Sequence, residues 1–315
     1  LTPPSAGYQA LREAAAALDV SARARIRATG EDRQRLLHAV ASNSIEGLEP
    51  GAGTETFFLN PQGRIQALVR VYVGAEDVLL ETADEQRQVL LDYLDGYIIM
   101  DDVTLEDVTA QTAAWTVEGP TAEELVRQAL GLAIPDDAAH AHVASDDLRA
   151  FRSTLSGQSG VWLAAPADRR AEVAERLQTA GAADASAPDL EAVRVENGVP
   201  LFSVDYTDKN IPHETGLLQH VSFTKGCYVG QEIVERVRSL GQVNRVLSGV
   251  AIEGDELPAS RELEFDGKTV GTLTSPVRSP LHGDVRGFAV LRREATAAGA
   301  ELRIDGHAAR TTSDT

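Results

Sequence analysis

Cysteine occurs once in the 315 residues, at Cys227, methionine once and lysine only three times. A single thiol excludes an internal disulfide. It also excludes an iron–sulfur cluster held by this chain alone, because such clusters need several ligands. No run approaches the ~20 consecutive apolar residues of a membrane-spanning helix. Positive charge is scarce as well: 29 Lys and Arg against 48 Asp and Glu leave a net charge of −19. That balance argues against nucleic-acid binding, which needs a cationic surface, and an anionic ligand would need a local basic pocket. The opening residues lack a basic start followed by an apolar core, so no secretory signal is expected, and one cysteine fits a reducing cytoplasm.

What is present describes an ordinary globular chain. Apolar residues make up 43% and charged residues 24%, enough for a sizeable core in two domains or one elaborate one. Helical spacing predicts a helix after Asp32 with Leu36, Leu37 and Val40 on one face. A second runs over 84–95, with Val89, Leu90, Tyr93 and Leu94 and a stop at Gly96. A third opens on a Thr121/Glu124 capping box ahead of Leu125, Ala129 and Leu130. A fourth runs from Asp168 through Val173 and Leu177 to Gly181. Strict alternation of Ile65, Ala67, Val69 and Val71 predicts a strand over 64–72. Shorter strands are expected at 77–81, 96–100, 103–108, 113–119 and 160–165, with loops at 131–147 and 182–189. This mixed order predicts an α+β fold with helices on one face of the sheets. Beyond residue 240 nearly everything is strand-like, and Asp266-Gly267 is a hairpin turn between Leu263/Phe265 and Val270. The division is therefore 1–240 as an αβ region and 241–315 as a small β-barrel. His140 and His142 are spaced to reach one metal ion, but their alanine-rich loop offers nothing to orient them, and no metal site is expected.

One stretch concentrates chemistry: Lys225-Gly226-Cys227-Tyr228-Val229-Gly230-Gln231-Glu232. Residues 221–226 read as a strand, and 231–241 as a short helix with Ile233, Val234, Val237 and Leu240 inward and Gly241 closing it. Cys227 then lies in the turn between them. An extended backbone would place Lys225 and Cys227 on the same side. An ammonium group and a helix N-terminus would both lower the thiol pKa. The alternative is a structural turn around a small buried cysteine. Ser222 and Lys225 also form an S-x-x-K pair, but the accompanying motifs of acyl enzymes are missing. Arg236, Arg238 and Arg245 make the best local basic cluster in an acidic chain, either for an anionic tail or as a solvated helix face.

The motif 225–232 resembles the signature of the YgfZ-type folate-binding proteins, relatives of the glycine-cleavage T-protein (aminomethyltransferase). Residues 26–51, 57–72, 193–223 and 240–250 are similar to successive parts of that superfamily. The resemblance implies two intertwined αβ lobes and a C-terminal β-barrel around a central channel for tetrahydrofolate or a derivative. It further implies a cytoplasmic accessory protein for the assembly or repair of iron–sulfur enzymes, with those enzymes or cluster-assembly proteins as partners. A folate-dependent one-carbon transferase is the alternative, and a non-catalytic scaffold the second. Carried over residue by residue, Cys227 and Lys225 would be catalytic. Gly226, Tyr228, Gly230, Gln231, Glu232 and Arg194 would contact the cofactor, Arg194 by pairing with a folate carboxylate. The sulfur would face an open, positively biased cavity at the mouth of the pterin slot. Where aminomethyltransferases carry an Asp-Asp pair, this chain aligns Ala67 and Leu68, so no aminomethyl transfer is expected.

Overall fold

A computed structural model describes residues 3–135, 138–145, 147–241, 243–297 and 300–312. Its strands form two open sheets and a closed barrel. The first sheet has five antiparallel strands in the spatial order Gly53–Leu59, Ile65–Val73, Val78–Thr82, Ala24–Thr29 and Thr104–Asp107. Alternation in Ile65–Val73 buries Ala67, Val69 and Val71 on one face, as expected, but a register shift beside Phe58 and Leu59 turns Ile65 to the other face, where it packs with Phe57 and Leu59. Ala67, Val69 and Val71 meet Leu37 and Val40 of the helix Arg33–Val40 and Leu90 and Leu94 of the helix Arg87–Asp95 in one cluster. Each large apolar side chain buried there contributes about 1.5–3 kcal/mol. The opposite face of the same strand, with Leu68 and Arg70, is left for the site.

The second sheet has six strands, in the order Ala183–Asp184, Ala16–Asp19, Thr112–Glu118, Gly160–Pro166, Leu148–Phe151 and His142–Ser145. Its strand Ala16–Asp19 precedes the whole first sheet in the chain, so the two lobes are interleaved. Helices Ala122–Leu130 and Arg170–Thr179 cover one face, burying Leu125, Val173 and Leu177. Between the sheets Tyr72, Phe151 and Trp162 pack together, with Tyr72 and Trp162 rings parallel at 6.1 Å. The barrel closes Arg245–Ile252 on both Val285–Arg292 and His307–Thr312. Its hairpin turns at Asp266 and Gly267, whose φ values of 50° and 71° fit a turn of the mirror-image type.

Several expectations are corrected. Residues 96–100 form no strand: Ile99 and Met100 are 85% and 94% exposed. The Thr121/Glu124 capping box is not made; Thr121 caps no backbone N–H with its side chain, and Glu124 bonds Arg127 instead. Gly96 ends its helix without a left-handed turn. His142 opens a strand rather than lying in a loop. Asp136, Asp137 and Asp146, the acids beside the two histidines, lie outside the described residues. No strand spans 221–226. The helix Gln231–Leu240 forms and closes at left-handed Gly241, but it buries only Val234 fully and leaves Leu240 72% exposed.

Candidate functional site

A concavity of about 550 Å3 lies where the cavity face of the first sheet meets the segments 152–160, 198–202 and 217–220. Cross-strand register sets Glu55 opposite Arg70 and Arg70 opposite Glu81, a row of alternating charge over three strands. Arg70 donates from Nε to Glu55 Oε1 at 3.1 Å, from Nη1 to Glu81 Oε2 at 3.2 Å, and from Nη2 to the Thr154 carbonyl at 2.7 Å. Glu81 also accepts from Arg23. Burial alone would raise both carboxylate pKa values. The guanidinium groups outweigh it, Arg70 at Glu55 and Arg23 with Arg70 at Glu81, so both carboxyls are held below their ordinary 4.5.

Two histidines join this row. His220 Nδ1 lies 3.5 Å from Glu55 Oε2, and its ring stands edge-on to Phe57 at 5.3 Å. His140 also lines the cavity; its φ of 63° is unusual for a non-glycine, and its Nδ1 is buried without a hydrogen-bond partner. Burial pushes both imidazoles below their ordinary pKa against the pull of Glu55, which keeps them neutral near pH 7. An apolar part of the lining comes from Leu155, Val199, Pro200, Leu201 and Phe202. Of the residues just named, the sequence singled out only His140, and that as half of a metal pair with His142 rather than as part of a cavity. The available signal was an arginine, Arg70, inside a strand that otherwise reads as core.

The motif 225–232 folds beside this cavity rather than into it. None of Cys227, Lys225, Gly226, Tyr228, Gly230, Gln231, Glu232 and Arg194 lines it. Cys227 is exposed, which overturns the reading of a small buried hydrophobe. The Lys225 amine does not serve the thiol as expected. Its Nζ donates to the carbonyls of His38, Ala41 (2.5 Å) and Asn43 (3.3 Å), closing the C-terminal end of the helix Arg33–Val40, and it sits 5.2 Å from the Tyr228 ring centre. Burial lowers its pKa to about 8. Ser222 Oγ accepts the Lys225 N–H at 3.1 Å, so the S-x-x-K pair is part of a local turn. Tyr228 is buried against Phe57, Leu59 and Val234. Gly230 has φ 81°, and a Cβ there would lie 2.5 Å from the Asn60 carbonyl, so the motif needs glycine to dock on the 60–63 turn. Gly226 has open space around it. Gln231 and Glu232 form the first turn of the helix that follows.

Arg194 is likewise engaged elsewhere. It is 2% exposed and bonds Asp205 Oδ2 at 2.9 Å, the Val199 carbonyl at 2.9 Å, Glu191, and Ser275 of the barrel. Glu196 accepts from Tyr8, Arg12, Ser279 and the Leu281 N–H. The 194–198 stretch is therefore a joint between helix and barrel, and only Gly198 reaches the cavity wall. The basic cluster is divided: Arg238 lies over the Phe223 ring at 4.3 Å, while Arg245 begins the first barrel strand. Among the described residues no group of three or more His, Cys, Asp or Glu is placed to hold a metal ion.

Comparison with known proteins gives a consistent result. The family described as GCVT N-terminal domain matches residues 5–225. The aminomethyltransferase of Geobacillus kaustophilus is 26% identical over 310 residues, covering 95% of this chain and 85% of its own. That of Cutibacterium acnes is 28% identical over 318 residues, with the same coverage. The crystal structure of the glycine cleavage system aminomethyltransferase T from Bartonella henselae matches with a TM-score of 0.87. It covers 97% of this chain and 87% of that one at 18% identity, a likeness of fold.

Proposed function

Because the chain belongs to the glycine-cleavage T-protein (aminomethyltransferase) family, whose N-terminal domain it matches over residues 5–225, we propose that it holds a reduced folate in its central cavity and transfers one-carbon units on it. The observation that carries this reading is the cavity of about 550 Å3 formed within the matched region. That volume falls inside the range of small-molecule sites, and an apolar wall with a few polar anchors suits a flat, donor-rich ring. Glu55 Oε2, which among the described residues meets only His220 Nδ1 at 3.5 Å, is a polar atom on the cavity lining that a pterin would satisfy. A bound folate would supply the carrier nitrogen for the one-carbon unit; the chain's own residues bind and orient it and shield it from water.

The relatives' names favour a transferase. The donor group need not be theirs, because the two positions aligned with an Asp-Asp pair carry no carboxylate. Ala67 packs into the first-sheet core and Leu68 lines the cavity. Titrating tetrahydrofolate by calorimetry tests the reading: saturable binding is expected, and its absence ends it. Formation of labelled methylenetetrahydrofolate from a methylamine-type donor then tests the transfer.

A second reading has its own observation. Cys227 is exposed, outside the cavity, on a motif that resembles the YgfZ-type signature. It makes the chain a cytoplasmic accessory protein for iron–sulfur enzymes or their assembly proteins. A Cys227→Ala variant that fully restores iron–sulfur enzyme activity in a deletion strain removes the thiol from that role.

A further inference from the structure

We propose that the groove between the barrel and the segment 204–214 binds the phosphoryl group of a small organic phosphate, held by Arg245 and Arg292 with Lys209 facing them. The groove, about 560 Å3, shares no lining residue with the central cavity, so it is a second site that does not depend on the folate reading.

The placing of the two arginines is the starting observation. Arg245 and Arg292 stand directly opposite each other in the register of the antiparallel strands Arg245–Ile252 and Val285–Arg292, so their side chains leave the barrel on the same side. The Cβ atoms of such a pair lie about 4.5–5.5 Å apart, and like charges there destabilise the sheet. Elsewhere the chain answers its buried arginines with carboxylates, as Glu81 does Arg70 and Asp205 does Arg194. Among the described residues no ion pair relieves Arg245, Arg292 or Lys209, although the chain has 48 Asp and Glu. Arg64 donates to the Lys209 carbonyl and brings a fourth cation to that wall.

Two carboxylates line the groove, and both are committed. Asp205 accepts from Arg194, the Leu201 N–H and the hydroxyls of Thr274 and Ser275. Glu214 Oε2 accepts from Asn210 Nδ2 at 3.1 Å and the Ile211 N–H at 3.2 Å. With Asp205 cancelled by Arg194, three cations face one acid.

These features set the ligand class. Two guanidinium forks side by side match the three oxygens and double charge of a phosphoryl group better than a single carboxylate. Val204, 49% exposed, and Val290 add apolar surface, which favours an organic phosphate over the inorganic ion. The net charge of −19 repels an extended polyanion, so the ligand is one small enough to sit within the groove.

Calorimetry with phenyl phosphate on the whole chain, at a pH above its second pKa of about 6 and at low salt, tests the site. One equivalent is expected to bind, more weakly as sodium chloride is raised. Arg245→Gln and Arg292→Gln should each weaken binding roughly 10–100-fold, and Lys209→Gln about 3–10-fold. Arg303→Gln, on another part of the barrel, should leave it unchanged. Absence of saturable binding overturns the proposal. An equal loss in Arg303→Gln reduces the effect to general charge attraction and also overturns it. Benzoate bound as tightly as phenyl phosphate refutes the phosphoryl assignment, and binding confined to vesicles containing phosphatidic acid refutes a small-molecule ligand. Should an arginine variant not fold, Lys209→Gln on the facing loop decides: unchanged affinity refutes the site.

Discussion

Replacing Arg194 by methionine separates two roles for this side chain, a folate partner or a structural joint. The structure favours the joint. The guanidinium is 2% exposed, and its Nη1 bonds Asp205 Oδ2 at 2.9 Å, an oxygen on a residue itself 2% exposed. Breaking a buried pair by removing one partner costs about 3–5 kcal/mol. The low end applies, because Asp205 keeps the Leu201 N–H at 2.8 Å and the hydroxyls of Thr274 and Ser275 at 2.6 and 2.7 Å. Methionine also preserves much of the packing against the Phe288 ring, 5.7 Å from the guanidinium. At about 2–4 °C per kcal/mol, a loss of about 3 kcal/mol lowers Tm by roughly 6–12 °C. Differential scanning fluorimetry reads that shift, and calorimetry on the folded variant should show tetrahydrofolate affinity within about threefold of the parent, since no contact to the cavity ligand is lost. A variant with unchanged Tm and folate binding weakened tenfold would refute this reasoning and return Arg194 to the ligand.

Further predictions concern the motif. Lys225 has a folded pKa of about 8 against an ordinary 10.5; between those values the unfolded chain holds more protons, so this residue's contribution to stability rises with pH across that window. Chemical denaturation from pH 7 to 10 should show the parent gaining on Lys225→Met, and parallel curves would contradict it. Gly230→Ala, forced to φ 81° with its Cβ on the Asn60 carbonyl, should lose about 1–3 kcal/mol, whereas Gly226→Ala, with open space, should stay within about 0.5 kcal/mol in the same unfolding assay. Exposed Cys227 should react with a thiol reagent at one equivalent per native chain, and Cys227→Ser should leave Tm nearly unchanged; a thiol that reacts only on unfolding would show the motif folded differently.

The parts of the fold legible in the sequence are those where side-chain period maps directly onto one buried face. Ala67, Val69 and Val71 of the strand Ile65–Val73 are such a run, and Asp266-Gly267 marks a barrel hairpin because few residue pairs tolerate two successive positive φ values. Residues 96–100 mislead because apolar, β-branched residues there meet no neighbouring strand, and composition cannot report a missing partner. His142–Ser145 errs the other way: weak strand formers are drawn into a strand by pairing with Leu148–Phe151. For the candidate site, the motif 225–232 was visible but its geometry was not. Lys225 and Cys227 share no extended strand, and three carbonyls from residues 38 to 43 compete for the amine. The cavity itself was invisible, since Glu55, Arg70, Glu81, His140 and His220 meet only through cross-strand register and long-range packing.

The placement of Ala16–Asp19 has a consequence for how the molecule is made. This segment leaves the ribosome early, yet its hydrogen-bonding neighbours are Thr112–Glu118 and Ala183–Asp184. Synthesis at about 5–20 residues per second leaves it waiting for several seconds, while the hairpins between Ala24 and Asp107 emerge and pair. The nascent chain must therefore keep a short, alanine-rich ribbon uncommitted until the second lobe arrives to claim it. A chain held on the ribosome just after residue 110 has emerged from it would display a nearly finished first lobe trailing an orphan edge, the form most exposed to capture by chaperones.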